Sequence, residues 1–182
     1  MPSALLLLPQ PSLTWPDITT RLLSVVTLIL LNAFFVTVEF SIVSVRRSRI
    51  NQLVSAGDVQ AKTVQQLQQK INSLLSTTQL GITLSSLALG WIGEQTMASL
   101  VRHLFSRLPV SADIAQFLAH SAAVPVAFLL MAYLQIVLGE LCPKSVALSH
   151  PERIARILGP SSLTIARLLH PFIWLLNQST TL

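Results

Sequence analysis

The run from Leu22 to Val45, LLSVVTLILLNAFFVTVEFSIVSV, decides the fold class. At 1.5 Å rise per residue it makes about 36 Å of helix, enough to cross a hydrocarbon core of roughly 30 Å. Its polar interruptions are Asn32, Thr37, Glu39, Ser41 and Ser44. Thr37, Ser41 and Ser44 recur at spacings of four and three, which sets them on one helical face that looks inward, toward protein or water. Single hydroxyls of this kind satisfy helix carbonyls or glue neighbouring helices. Glu39 is harder to dismiss, because an ionisable group near the hydrocarbon costs roughly 2.5–3.5 kcal/mol on insertion scales at a helix centre and less toward an interface.

Composition agrees with the span. The chain is 52% hydrophobic and 10% charged, with mean hydropathy +0.65, whereas soluble domains carry about a quarter charged residues. These values describe an integral membrane protein. The net charge of +5 and pI near 10.4 come from Lys and Arg flanking apolar segments, with no aromatic-basic reading surface, so the charge sets topology and no nucleic-acid partner is expected. Cys142 is the only cysteine, which excludes an intrachain disulfide and a cysteine-pair metal site. Residues 1–20 are expected to form an extracytoplasmic lead-in: Leu5 to Leu8 is too short to span, and no basic residue precedes Arg21.

Outward from the first span the chain reads as all-α. Residues 46–73 switch to Arg, Lys, Gln and Asn while Ile50, Leu53, Val54, Val64, Leu67 and Ile71 keep a helical rhythm, which predicts two amphipathic juxtamembrane helices. Gly57 suits the end of the first and Asp58 the cap of the second. A second span is expected over about 74–93, rich in small and polar residues around Gln79, Gly81, Ser85 and Ser86. A third, over about 115–140, carries Pro125, where a kink is expected. It ends on Gly139-Glu140-Leu141-Cys142-Pro143-Lys144-Ser145, an acidic side chain beside a helix-disrupting proline. Two readings of Glu140 stand open: an ion ligand, or an interfacial partner of Lys144 that merely ends a helix. Pro160, Arg167, His170 and Pro171 interrupt the last apolar stretch, so residues 151–178 read as an interfacial or re-entrant segment rather than a fourth span.

Nine Lys and Arg follow the first and third spans, against three elsewhere, which places the N-terminus outside a bacterial inner membrane crossed several times. The same orientation sets Glu39, Glu140, Gln79 and Gly81 toward the cytoplasmic ends of three spans, where polar groups can converge at one depth. Carboxylate, hydroxyl, amide and backbone oxygens without paired Cys or His are the ligand set of a hard cation such as Mg²⁺, Ca²⁺ or Na⁺. His103, His120, His150 and His170 lie singly in flanks or apolar sequence and read as surface or packing residues.

Three ordered motifs carry a resemblance over about residues 25–177. Leu31 to Ser41 (LNAFFVTVEFS) followed by Val45-Arg46-Arg47-Ser48-Arg49 resembles the first membrane helix of the CorC and cyclin M (CNNM) magnesium transporters; Ser76 to Leu87 (STTQLGITLSSL) resembles the second; Gly139 to Ser145 with Pro151-Glu152-Arg153 resembles the third and its exit. The resemblance implies a homodimer of three spans per subunit in the lipid bilayer, with cytoplasmic juxtamembrane helices, binding a largely dehydrated Mg²⁺ and exporting it with Na⁺ coupling. It places Glu140 at the acidic ligand position and Gln79 to Gly81 at the second-helix ligand position, which in other members is an Asn-containing turn. Val36 stands where some members have a serine ligand, so Thr37, Glu39 or Ser41 takes that role. Asn32, Pro125, Gly139, Pro143 and Lys144 are assigned to structure and gating. Members continue into CBS-type regulatory modules and a C-terminal domain that these residues do not contain. The rival reading is a membrane anchor and dimerisation module that moves no ion; no nucleophile–base pair or metal-catalytic motif supports an enzyme.

Overall fold

A computed structural model describes residues 15–105 and 121–179, and every regular element among them is helical. In chain order these are α1 (Trp15–Ser44), α2 (Arg47–Ser55), α3 (Val59–Gln69), α4 (Ile71–Phe105), α5 (Ala123–Leu134), a π-helical segment (Gln135–Leu141), α6 (Cys142–Ser149) and α7 (Pro151–Ser179). Two stretches, Ile18–Ser44 and Ala123–Ser149, are long and apolar enough to cross a membrane. Three were expected.

The middle helix, α4, has the length, about 52 Å at 35 residues, but not the apolarity. Its polar side chains explain why: Thr77, Thr78, Ser85 and Thr96 are buried. Each hydroxyl bonds back to a carbonyl of its own helix, as in Ser85 Oγ to Gly81 O at 2.7 Å and Thr77 Oγ1 to Ser73 O at 2.8 Å. Such a helix is made to be surrounded by other helices, and α4 packs on both α1 and α5. Paired residues fix the directions. Glu39 meets Thr78, Phe35 meets Gly81, and Asn32 approaches Ser86, so α1 and α4 run antiparallel. Gly93 against Met131 and Ser86 against Gln135 make α4 and α5 antiparallel as well.

Two apolar clusters hold the bundle. One joins Val25, Ile29, Leu89, Met97 and Met131 across α1, α4 and α5. The other joins Val38, Ile42, Ile50, Val64, Leu67, Leu74 and Ala155 where α1 and α4 meet α2, α3 and α7. Between them lies a layer of polar groups, and outward the helices present Leu23, Leu30, Phe128, Leu129 and Tyr133, an apolar perimeter that suits lipid or other apolar surface.

The surface end is built by local chemistry. Gly57 adopts φ +90, a left-handed turn that glycine makes without a Cβ penalty, and Asp58 Oδ1 accepts from Ala61 N at 2.9 Å to cap α3. The other Asp58 oxygen pairs with Arg156 of α7. Arg49 of α2 pairs with Glu152 of α7 at 3.0 Å.

Three boundaries differ from expectation. The first helix already begins at Trp15, so residues 15–20 belong to it rather than to a lead-in. The opening residues of the third expected span, 115–120, lie outside the described residues; Pro125 itself sits in the first turn of α5, beside a π turn at residues 121–122. Pro143 does not end its helix: the chain passes through the π segment into α6 without a break. And α7 runs 29 residues through Pro160 and Pro171, which do not interrupt it. It lies along α3, where Gly159 faces Val64 so closely that a Cβ would come within 3.3 Å of it.

Candidate functional site: a polar layer between three helices

Asn32 lies one residue from the midpoint of Ile18–Ser44, and Gln135 one residue from the midpoint of Ala123–Ser149. Both amides therefore sit at the level where hydrocarbon is least tolerant of them, and each must find partners inside the bundle. Asn32 is buried and its Nδ2 donates to the carbonyl of Gly139 at 3.1 Å. Gln135 Nε2 donates to Ser86 Oγ at 2.8 Å. Ser86 Oγ donates in turn to Asn32 Oδ1 at 3.5 Å. One amide from α1, one hydroxyl from α4 and two positions of the π segment thus close a ring of contacts. Gln135 Oε1 is buried and has no partner among the described residues.

Pro143 leaves this turn one backbone donor short. In an α-helix the carbonyl of residue 139 would accept from the N–H of residue 143, and proline has none. In the π segment, where the N–H of Cys142 bonds the Val137 carbonyl five residues back, this register shifts, and Asn32 gives the Gly139 carbonyl a donor from outside its own helix. A Cβ on residue 139 would stand 3.1 Å from Asn32 Nδ2, so any larger residue would push the amide aside by a few tenths of an ångström.

Seven residues along α1, about 10 Å toward α2, stands a second polar rung. Thr78 Oγ1 donates to Glu39 Oε2 at 2.6 Å, the length of a hydroxyl bonded to a carboxylate. Glu39 is half-buried, and among the described residues it has no Lys or Arg partner. Phe35 fills the space between the rungs and presses on Gly81, where a Cβ would fall 2.5 Å from the ring.

The remaining residues singled out in sequence fall around these rungs. Thr37 Oγ1 bonds Ala33 O at 2.6 Å, and buried Ser41 Oγ bonds Val38 O at 3.1 Å, so both hydroxyls serve their own helix as donors and keep lone pairs free. Glu140 follows Gly139, which puts its backbone at the depth of Asn32 while its side chain is exposed on the single chain. Gln79 is exposed as well. Lys144 Nζ stands 4.5 Å from the centre of the Phe40 ring, a cation–π contact between α6 and α1. Pro143 is buried and Pro125 exposed. Among the described residues no three His, Cys, Asp or Glu side chains gather around one point.

The structure therefore brings Glu39 into contact with Thr78, and Asn32 with Gly139 and, through Ser86, with Gln135, groups whose pairing the sequence does not show. Gln135 was the legible one, a lone amide in the otherwise apolar run LLMAYLQIVL. Gln68 was also passed over. It is buried at the far end, where its Nε2 donates to Ile42 O at 3.2 Å and Val45 O at 3.0 Å.

A family model described as the cyclin M transmembrane N-terminal domain matches residues 23–182. The chain is 38% identical over 162 residues to the UPF0053 protein YhdP of Bacillus subtilis (strain 168), covering 89% of this chain and 36% of that protein. It is 39% identical over 166 residues to the UPF0053 protein YhdT of the same organism, covering 91% and 35%. Against the UPF0053 protein sll0260 of Synechocystis the identity is 37% over 164 residues, covering 90% and 36%. The chain thus spans little more than a third of the length of these curated relatives.

Proposed function

We propose, from the premise that this chain belongs to the cyclin M transmembrane N-terminal domain family, that it is the membrane domain of a divalent-cation transporter whose substrate is Mg²⁺. The observation that carries the reading is Glu39: a carboxylate half-buried between two helices, held by one threonine hydroxyl, with no basic side chain paired to it among the described residues. A carboxylate so placed gains from a cation, and oxygen ligands of this type favour a hard one.

In this reading Glu140, exposed at the end of the π segment, is the main ligand. Gln79 and the backbone near Gly81 contribute from α4, and Glu39, Thr37 and Ser41 contribute from α1. Asn32, Gly139 and Pro143 hold the third helix in the wide turn that presents Glu140, while Pro125 and Lys144 set its two ends. Export is coupled to Na⁺. Two copies form the working unit, in a bacterial inner membrane, with α4 as the third span, the N-terminus outside, and α2, α3 and an interfacial α7 on the cytoplasmic side. There they meet regulatory domains of CBS type.

The test is the thermal stability of the purified protein in detergent across a Mg²⁺ titration, with Ca²⁺ and Na⁺ run in parallel. A ligand at 100 times its Kd stabilises the folded state by about 2.7 kcal/mol. Saturable stabilisation by Mg²⁺ is expected, lost in Glu140→Gln and weakened in Glu39→Gln. A folded protein that no cation stabilises would mean a membrane anchor instead. Mg²⁺ efflux from proteoliposomes, with and without an inward Na⁺ gradient, tests direction and coupling.

A further inference from the structure

Where α3 turns into α4 and α7 passes beside them, a cavity of about 720 Å³ opens at the surface. Its walls are Leu67, Leu74 and Leu163, and Lys70 and Arg167 both line it. Among the described residues no acidic side chain does. Lys70 is the single residue that joins α3 to α4, so it marks the point where the chain leaves the surface for the long central helix. Arg167 is exposed on α7. Neither takes part in an ion pair among the described residues, although other basic side chains of the same end do: Arg49 with Glu152, and Arg156 with Asp58. Ser73 and Gln69 add hydrogen-bonding groups to the lining.

Two unpaired cations over a bed of leucines, at the level where the helices leave the apolar clusters, are complementary to an amphiphile that carries an anionic phosphate and a hydrocarbon tail. We propose that this cavity binds an anionic phospholipid of the bordering leaflet, with its phosphate between Lys70 and Arg167 and an acyl chain along the half-buried Leu163 and Ala166. The proposal rests on the membrane character of the chain and not on cation transport, so each can fail without the other.

Native mass spectrometry of the purified protein in a non-ionic detergent, with stepwise addition of phosphatidylglycerol or of phosphatidylcholine bearing the same chains, reads both bound lipid and oligomeric state. One phosphatidylglycerol per chain is expected to bind ahead of phosphatidylcholine. In the Lys70→Gln/Arg167→Gln double variant its affinity should fall on the order of 30-fold, as two basic groups near an anionic surface each contribute about 5-fold. Lys62→Gln/Arg153→Gln removes the same charge from exposed positions outside the cavity lining and should leave binding within about 2-fold. Equal loss in that control, equal binding of phosphatidylcholine, or unchanged binding in the cavity variant would each overturn the proposal. Displacement by inorganic phosphate at matched concentration would overturn it in favour of a free anion. A changed oligomeric state in the cavity variant with lipid retention intact would assign the cavity to a second copy.

Discussion

Asn32 shows how one polar side chain can be required at the most apolar depth of a membrane helix. Its amide donates to the Gly139 carbonyl in a turn that Pro143 leaves one backbone donor short, and its carbonyl takes the Ser86 hydroxyl. Removing it orphans the Gly139 carbonyl where no water competes, a loss of about 1–3 kcal/mol. We therefore expect Asn32→Leu to lower the melting temperature in detergent, and melts of the purified variant check it; an unchanged midpoint would mean that the Gly139 carbonyl finds another donor. Phe35 and Gly81 carry the opposite kind of constraint. The glycine is needed at that depth for the bulk of a ring, which is a packing requirement independent of any ligand role for the backbone around it.

At the scale of elements, the π segment and the proline after it form one device. If Asn32 stands in for the missing N–H of residue 143, restoring that N–H should make Asn32 less necessary. A double-mutant cycle on Asn32→Leu and Pro143→Ala checks this: the pair should be less destabilising than the sum of the singles, with a coupling of about 0.5–3 kcal/mol. Additive effects would separate the proline from the asparagine. A second device closes the end of α1. Gln68 of α3 donates to the Ile42 carbonyl in the last turn of α1 and to the Val45 carbonyl just beyond it, groups that the helix end cannot satisfy internally. Gln68→Ala should destabilise the protein by about 1–3 kcal/mol. It should also speed hydrogen exchange at the Val45 amide, which bonds Ser41 O at 3.1 Å; exchange at the wild-type rate would show that α3 does not hold this terminus.

For the whole molecule, the antiparallel packing of α1 on α4 and of α4 on α5 sets α2, α3 and the start of α7 at one end of the bundle and Glu94 toward the other. With the N-terminus outside, as proposed above, single cysteines in a Cys142→Ser background should label accordingly in intact cells. A membrane-impermeant maleimide should reach Glu94→Cys and miss Ser55→Cys and Arg153→Cys until the cells are opened. Labelling of residue 55 in intact cells would invert the topology. Reading the sequence went far at this scale, because a membrane imposes length, apolarity and charge asymmetry on each segment separately. The apolar runs, the amphipathic pair broken at Gly57 and the inward placement of Ser41 are legible one helix at a time, whereas Ser44, read onto the same inward face, is exposed at the end of α1. α4 was harder, since its small polar residues lower the signal of a span while its neighbours bury them. The contacts of Thr78, Ser86 and Gln135 were not legible, as hydroxyls and amides at helical spacing look alike whether they bond their own backbone or another helix. Pro143, Pro160 and Pro171 were read as breaks because the rule for proline concerns the local hydrogen bond. It cannot know that a π turn, or a donor more than a hundred residues away, will satisfy the carbonyl left behind. Local composition and periodicity determined that this is a helical membrane domain. Which polar groups meet at its centre was decided by the register of α1, α4 and the π segment, and register is a property of side chains interlocking across helices, absent from any one of them.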